Sequence, residues 1–74
     1  MAQTNQEKLI ILRRNQVEDR TGLSRSTIYL RIQEGTFPRP ISLGARAVGW
    51  LEHEIEAWLV ACIENRDARQ GEVV

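Results

Sequence analysis

The sequence predicts a mainly α-helical domain carrying one small β-hairpin, and three observations predict it. Two short helix-forming stretches are separated by Gly22-Leu23-Ser24, a helix-ending glycine, an apolar residue and a helix-capping serine. Pro38 and Pro40 then break helix and are followed by two apolar-polar-apolar triplets, Ile41-Ser42-Leu43 and Val48-Gly49-Trp50. Finally, Ile55, Trp58, Leu59 and Cys62 recur at i, i+3, i+4 and i+7, one stripe of an amphipathic helix.

Size and composition set the outer bounds. Seventy-four residues make one small domain. The chain is 42% hydrophobic and 27% charged, a globular rather than a disordered composition. So short a chain has a small core and gains little from other staples. One cysteine, Cys62, cannot close an intrachain disulfide. Together with the one histidine, His53, it cannot complete a tetrahedral zinc site within one chain. No metal and no cofactor are therefore expected. The longest apolar run, Leu9 to Leu12, is too short to span a bilayer, and the N-terminal residues carry no signal-peptide pattern. The expectation is a cytoplasmic domain with no membrane partner.

The catalytic inventory is thin. His53 sits in Leu51-Glu52-His53-Glu54-Ile55, the start of a helix, and reads as a surface residue. Ser24, Ser26 and Ser42 lie outside any Gly-x-Ser-x-Gly elbow, and the five glycines are scattered singly. Glu52, Glu54 and Glu56 alternate along a helix, so sequence neighbours among them point apart. No enzyme is expected.

The elements follow in order. Residues 1–8 are polar and aperiodic and read as a mobile tail. Leu9-Ile10-Ile11-Leu12 reads equally as a strand or an extended lead-in. Asn15 with Glu18 has the spacing of a capping box, giving a short helix over 16–21 that Gly22 ends. Ser24 caps a second helix over 25–34, which Gly35 ends. Ile28 and Ile32 share one face of it, with Val17 and Leu23 as packing partners. The first helix is too short to stand alone and needs the second. This is the pattern of a helix-turn-helix. The two triplets after the prolines form a hairpin with Gly44-Ala45-Arg46-Ala47 as its loop. A hairpin after a helix-turn-helix is a wing, so the domain over 9–66 reads as a winged helix-turn-helix. The last helix spans 52–66, with its glutamates at the favourable end of the dipole, and 67–74 read as a frayed tail. Trp50 and Trp58 are read as core, and Cys62, on the apolar stripe, as an inert core thiol.

Several segments together resemble a known family. They are Val17-Glu18-Asp19-Arg20-Thr21-Gly22-Leu23-Ser24-Arg25-Ser26-Thr27-Ile28-Tyr29, Glu34-Gly35-Thr36-Phe37-Pro38-Arg39-Pro40-Ile41, Gly49-Trp50, and Ile55-Glu56-Ala57-Trp58-Leu59. Over roughly residues 10–64 the chain looks like the AlpA family of prophage regulators, which is related to the MerR-like winged helix-turn-helix group and to phage excisionases. The resemblance implies a phage or bacterial protein that binds double-stranded DNA near an integrase gene or attachment site. Such a protein either activates transcription or directs excision. The position after Tyr29, usually basic in the family, is Leu30 here.

With Ile28 at the centre of the buried face, Ser26, Leu30 and Gln33 point away from the core and Tyr29 lies on the flank. Arg25 stands at the helix end expected to enter the major groove, where it can bond a guanine edge. Gln33 matches an adenine and Leu30 a thymine methyl. Ser24, Ser26 and Thr27 are short donors beside backbone N–H groups at a helix start, suited to phosphate. Arg20, Arg31 and Arg39 are placed for the DNA backbone, and Arg46, at the hairpin tip, for the adjacent minor groove or its phosphates. The plainer roles are structural. Ser24 caps its helix with or without DNA, Tyr29 packs on the wing, and Arg20 or Arg31 pairs with Asp19 or Glu34. Arg13 and Arg14 read as solvated charges, with their distance from the duplex left open.

The leading expectation is a sequence-specific transcriptional regulator, with an excisionase as the alternative. A third reading is a protein-interaction module that docks a partner through the acidic, striped last helix. One small module covers about 600–1,000 Å² on DNA. About four phosphate-neutralising arginines correspond to a salt slope of about −3.6. Binding by one copy is therefore weak, and further copies on adjacent sites are expected, with Leu30, Val60 and the C-terminal residues as candidate contacts. No dimerisation coiled coil follows the domain, so no small-molecule effector is expected.

The zero net charge conceals a division. Residues 1–51 hold eight basic side chains against four acidic ones, a net +4. Residues 52–74 hold two against six, a net −4. Such a dipole orients a domain as it approaches a phosphate backbone.

Overall fold

The computed structural model describes residues 9–73, with side chains through 69, and the tail expected over 1–8 lies outside the described residues. Six elements follow one another: β1 (Ile11–Leu12), α1 (Arg14–Thr21), α2 (Arg25–Glu34), β2 (Ile41–Gly44), β3 (Ala47–Leu51) and α3 (Glu52–Val73). Three helices and a small antiparallel hairpin make the domain a winged helix-turn-helix, as the sequence predicts.

The apolar run at residues 9–12 resolves as a strand because it finds a partner. β1 pairs antiparallel with β3, Ile11 opposite Leu51 and Leu12 opposite Trp50. The pairing continues past the strand, where the Glu52 N–H donates to the Ile10 carbonyl at 2.8 Å. β2 pairs on the other side of β3, so the order is β1-β3-β2 and the wing is a three-stranded sheet. Gly49 is required where β1 crosses β3. A Cβ there would collide with Ile11 Cγ2 and sit 3.2 Å from the Leu12 carbonyl oxygen.

The core takes one residue from nearly every segment. Leu12, Val17, Ile28, Phe37, Trp50 and Ile55 are buried, with Leu23, Ile32, Trp58 and Leu59 packed around them. Both tryptophans also fix the linker between α2 and β2. Trp50 Nε1 donates to the Pro38 carbonyl at 3.0 Å, and Trp58 Nε1 to the Thr36 carbonyl at 2.7 Å. Phe37 lies edge-on to Trp58, with ring centroids 4.8 Å apart. The proline-rich linker is thus held at its carbonyls, which prolines cannot help satisfy from their own nitrogens.

The turn of the helix-turn-helix follows its local chemistry. Gly22 ends α1 at φ 75° and Gly35 ends α2 at φ 79°, left-handed conformations that favour glycine. Ser24 Oγ accepts the Thr27 backbone N–H at 3.3 Å, the expected N-cap of α2.

Five expectations are corrected. α1 begins at Arg14, not at 16, because only Arg13 separates it from β1; Gln16 Oε1 then accepts the Arg13 backbone N–H at 2.8 Å. Asn15 is therefore not the cap, and Glu18 pairs with Arg14 at 3.0 Å instead of closing a box. The hairpin loop is Ala45-Arg46 alone, since Gly44 and Ala47 pair with each other across a bulge. α3 continues past 66 to Val73, through good helix formers such as Ala68 and Arg69. Cys62 is exposed rather than buried, because the core against which the stripe packs ends at Leu59.

Candidate nucleic-acid interface

The geometry of the proposed reading helix starts from one fully buried residue. Ile28, with no exposed surface, pins α2 to the core. At 100° per residue this turns Ser26, Leu30 and Gln33 outward, while Arg25, on the Ile28 side of the helix, is open to solvent because it is the first residue of α2; all four are exposed. Leu30 is 53% exposed, far more than a leucine needs for folding. None of these four side chains holds the fold together. Thr27 is half-buried and its hydroxyl accepts from Ser24 Oγ at 2.9 Å, so the two form the cap of α2.

The flank of α2 joins the wing. Tyr29 meets Trp50 of β3 edge-on, with ring centroids 6.4 Å apart. Beyond Tyr29 opens a cleft of about 320 Å³, lined by Arg13, Arg14, Asn15, Tyr29, Arg46 and Val48. The start of α1, the flank of α2 and the tip of the wing therefore meet at one place. Arg46, from the hairpin tip, lines this cleft together with Tyr29 of α2.

The remaining arginines have different fates. Arg20 turns away from α2 towards α3, its guanidinium 2.7 Å from Glu52 and 3.9 Å from Glu56. That pair, rather than Asp19 or Glu34, is its counter-charge. Arg31 is half-buried, and its Nε is a buried N–H with no hydrogen-bond partner among the described residues. Arg39 stands exposed in the linker between Pro38 and Pro40. Among the described residues Arg13, Arg25, Arg31, Arg39 and Arg46 form no ion pair. No group of acidic, histidine and cysteine side chains among the described residues could hold a metal ion. No described helix is long and apolar enough to cross a membrane.

Sequence reasoning missed the part played by Arg13, Arg14 and Asn15. Asn15 read as a helix cap, which left the two arginines outside the helix that follows it. Two adjacent arginines ahead of a short helix were the available signal, but their neighbour Arg46 is more than thirty positions away.

A helix-turn-helix whose second helix presents an exposed outer face, followed by a hairpin wing, defines the class as a winged helix-turn-helix fold. Comparison with known proteins agrees. Residues 10–63 match the family model described as prophage CP4-57 regulatory protein (AlpA), and the chain belongs to this AlpA family. The DNA-binding transcriptional activator AlpA of Escherichia coli K12 is 39% identical over 61 residues, covering 74% of this chain and 87% of that protein. The uncharacterized protein ORF88 of Enterobacteria phage P4 is 51% identical over 45 residues, or 61% of this chain. The matched segment spans 51% of that phage protein's length.

Proposed function

We propose that the chain is a sequence-specific double-stranded DNA-binding transcriptional regulator of prophage type. α2 reads the major groove, and the β2–β3 wing grips the adjacent groove or its backbone. The observation that carries this reading is the exposed surface of α2, with Ser26, Leu30 and Gln33 on the face away from fully buried Ile28 and Arg25 exposed at the helix start.

In this reading Arg25 bonds a guanine edge, Gln33 an adenine and Leu30 a thymine methyl. Ser24, Ser26 and Thr27 meet phosphate at the start of α2, with Tyr29 on its flank. Arg31, Arg39 and Arg46 neutralise phosphates along the flanks. Arg20 has a different part: its pair with Glu52 and Glu56 fixes α1 against α3 and thereby sets the angle at which α2 is presented. The activator named AlpA in E. coli supports transcription as the process served. Binding by one small module is weak, so copies on adjacent sites are part of the proposal.

The test is selection of duplexes from random sequence, followed by mobility shifts across a salt series. A preferred duplex is expected, bound with a slope of log K against log salt of about −2.7 for the three phosphates neutralised by Arg31, Arg39 and Arg46. Arg25→Ala is expected to reduce discrimination between the preferred and random duplex by about 1–3 kcal/mol. Arg46→Ala is expected to weaken both equally. Failure of the wild-type protein to bind any duplex at low salt rejects the reading. Unchanged discrimination in Arg25→Ala rejects α2 as the reading element.

A further inference from the structure

We infer that the cleft between the start of α1 and the tip of the wing is a seat for a single phosphodiester of the DNA backbone, clamped by Arg13 and Arg46. The inference rests on the DNA-binding reading above and adds to it a site that joins two parts of the fold. Arg13, Arg14 and Asn15 come from the start of α1, and Arg46 and Val48 from the hairpin. Tyr29 of α2 lies between them and is held in place against Trp50.

Two independent features call for an anion there. The first is uncompensated charge. Arg14 is matched by Glu18 at 3.0 Å, whereas Arg13 and Arg46 form no ion pair among the described residues. Two guanidinium groups lining one cleft repel, and an oxyanion between them converts that repulsion into attraction. The second is the position of Arg13 and Arg14. They stand at the N-cap and first residue of α1, whose first turn contains no acidic residue. The positive end of a helix dipole disfavours cations. Arg14 has its Glu18 partner in the same helix, but nothing among the described residues compensates Arg13 at this end of the dipole; a bound anion does.

The chemistry of the lining selects a phosphodiester. Guanidinium forks match phosphate oxygens in paired hydrogen bonds, and the Asn15 amide adds a donor. Val48, 36% exposed, offers an apolar wall suited to a deoxyribose. The cleft adjoins the flank of α2 rather than its reading face, where the strand bordering a major groove passes. One phosphate gripped from both sides would also fix the wing against the start of α1 when DNA is bound.

The test scans single neutral methylphosphonates through the preferred duplex, using wild type, Arg13→Gln, Arg46→Gln and the double variant. Circular dichroism serves as the folding control, since both side chains are exposed. One methylphosphonate position is expected to weaken wild-type binding about tenfold, as loss of a charge-assisted hydrogen bond does. The same substitution should have little further effect in either variant. The salt slope should become shallower by about 0.9 in the double variant, once rather than twice. Inorganic phosphate alone, titrated at constant ionic strength, should not saturate the cleft at micromolar concentration. If the wild type binds its duplex but no position loses its effect in both variants, the seat is refuted while the DNA reading stands. Micromolar binding of inorganic phosphate overturns the DNA backbone as the source. Absence of any duplex binding removes both readings together.

Discussion

Residues 9–51 and the helix that follows them are built on opposite plans. The first region consists of five short elements, none able to stand alone, with a basic surface. The second is one long helix with an acidic surface. The first depends on the second for closure of its core by Ile55, Trp58 and Leu59, and for the counter-charge of Arg20. The helix touches the core only over its first turns, and beyond Leu59 its apolar residues Val60 and Ile63 are about half exposed. Stability thus gathers around the core that Ile28, Trp50 and Ile55 share, which leaves the outward face of α2 and the wing tip outside it.

The largest expected effect breaks this arrangement at its centre. Trp50 is fully buried, contacts Tyr29 and holds Pro38. Trp50→Ala should remove about 3–5 kcal/mol, enough to leave much of so small a domain unfolded in urea titration. Trp58 is only half-buried at the junction of the two regions. Trp58→Ala should cost about 2 kcal/mol, read by the same titration. A result equal to that of Trp50→Ala would show that the linker staple matters more than burial.

Smaller effects sharpen the electrostatic side. Glu52→Gln removes the near partner of Arg20 across the two regions. The expected loss is about 0.2–1 kcal/mol in thermal melts, and it should fade at high salt. Least of all, Cys62→Ser and Ile63→Ser lie past the end of the core and should change stability by less than about 0.5 kcal/mol. The native Cys62 thiol should react with an alkylating reagent without prior unfolding. A protected thiol would show that the outer part of α3 is covered in solution.

Much of the fold was legible locally. Gly22, Ser24 and Gly35 define where α2 begins and ends, because left-handed dihedrals and an N-cap depend only on near neighbours. The outward face of α2 followed from Ile28 by helical geometry alone. Cys62 shows the limit of the same reasoning. Its position on the stripe is a property of the helix, but its burial depends on how far the neighbouring core extends. The start of α1 fails for a related reason. Asn15 and Glu18 have the spacing of a box, yet the strand at Leu12 fixes the chain first and hands Arg14 to Glu18.

By itself, then, the sequence determined the order of the helices and the hairpin, the helix-turn-helix turn, the divided charge and the outward face of α2. These rest on dihedral preference, periodicity and composition, all of short range. The tertiary structure alone decided which charges meet. It paired Arg20 with Glu52 across 32 positions and brought Arg13 and Arg14 to Arg46 in one cleft. It also gave both indole N–H groups to linker carbonyls. Such encounters are set by how β1 and the wing close on β3, and no spacing within a single element encodes that closure.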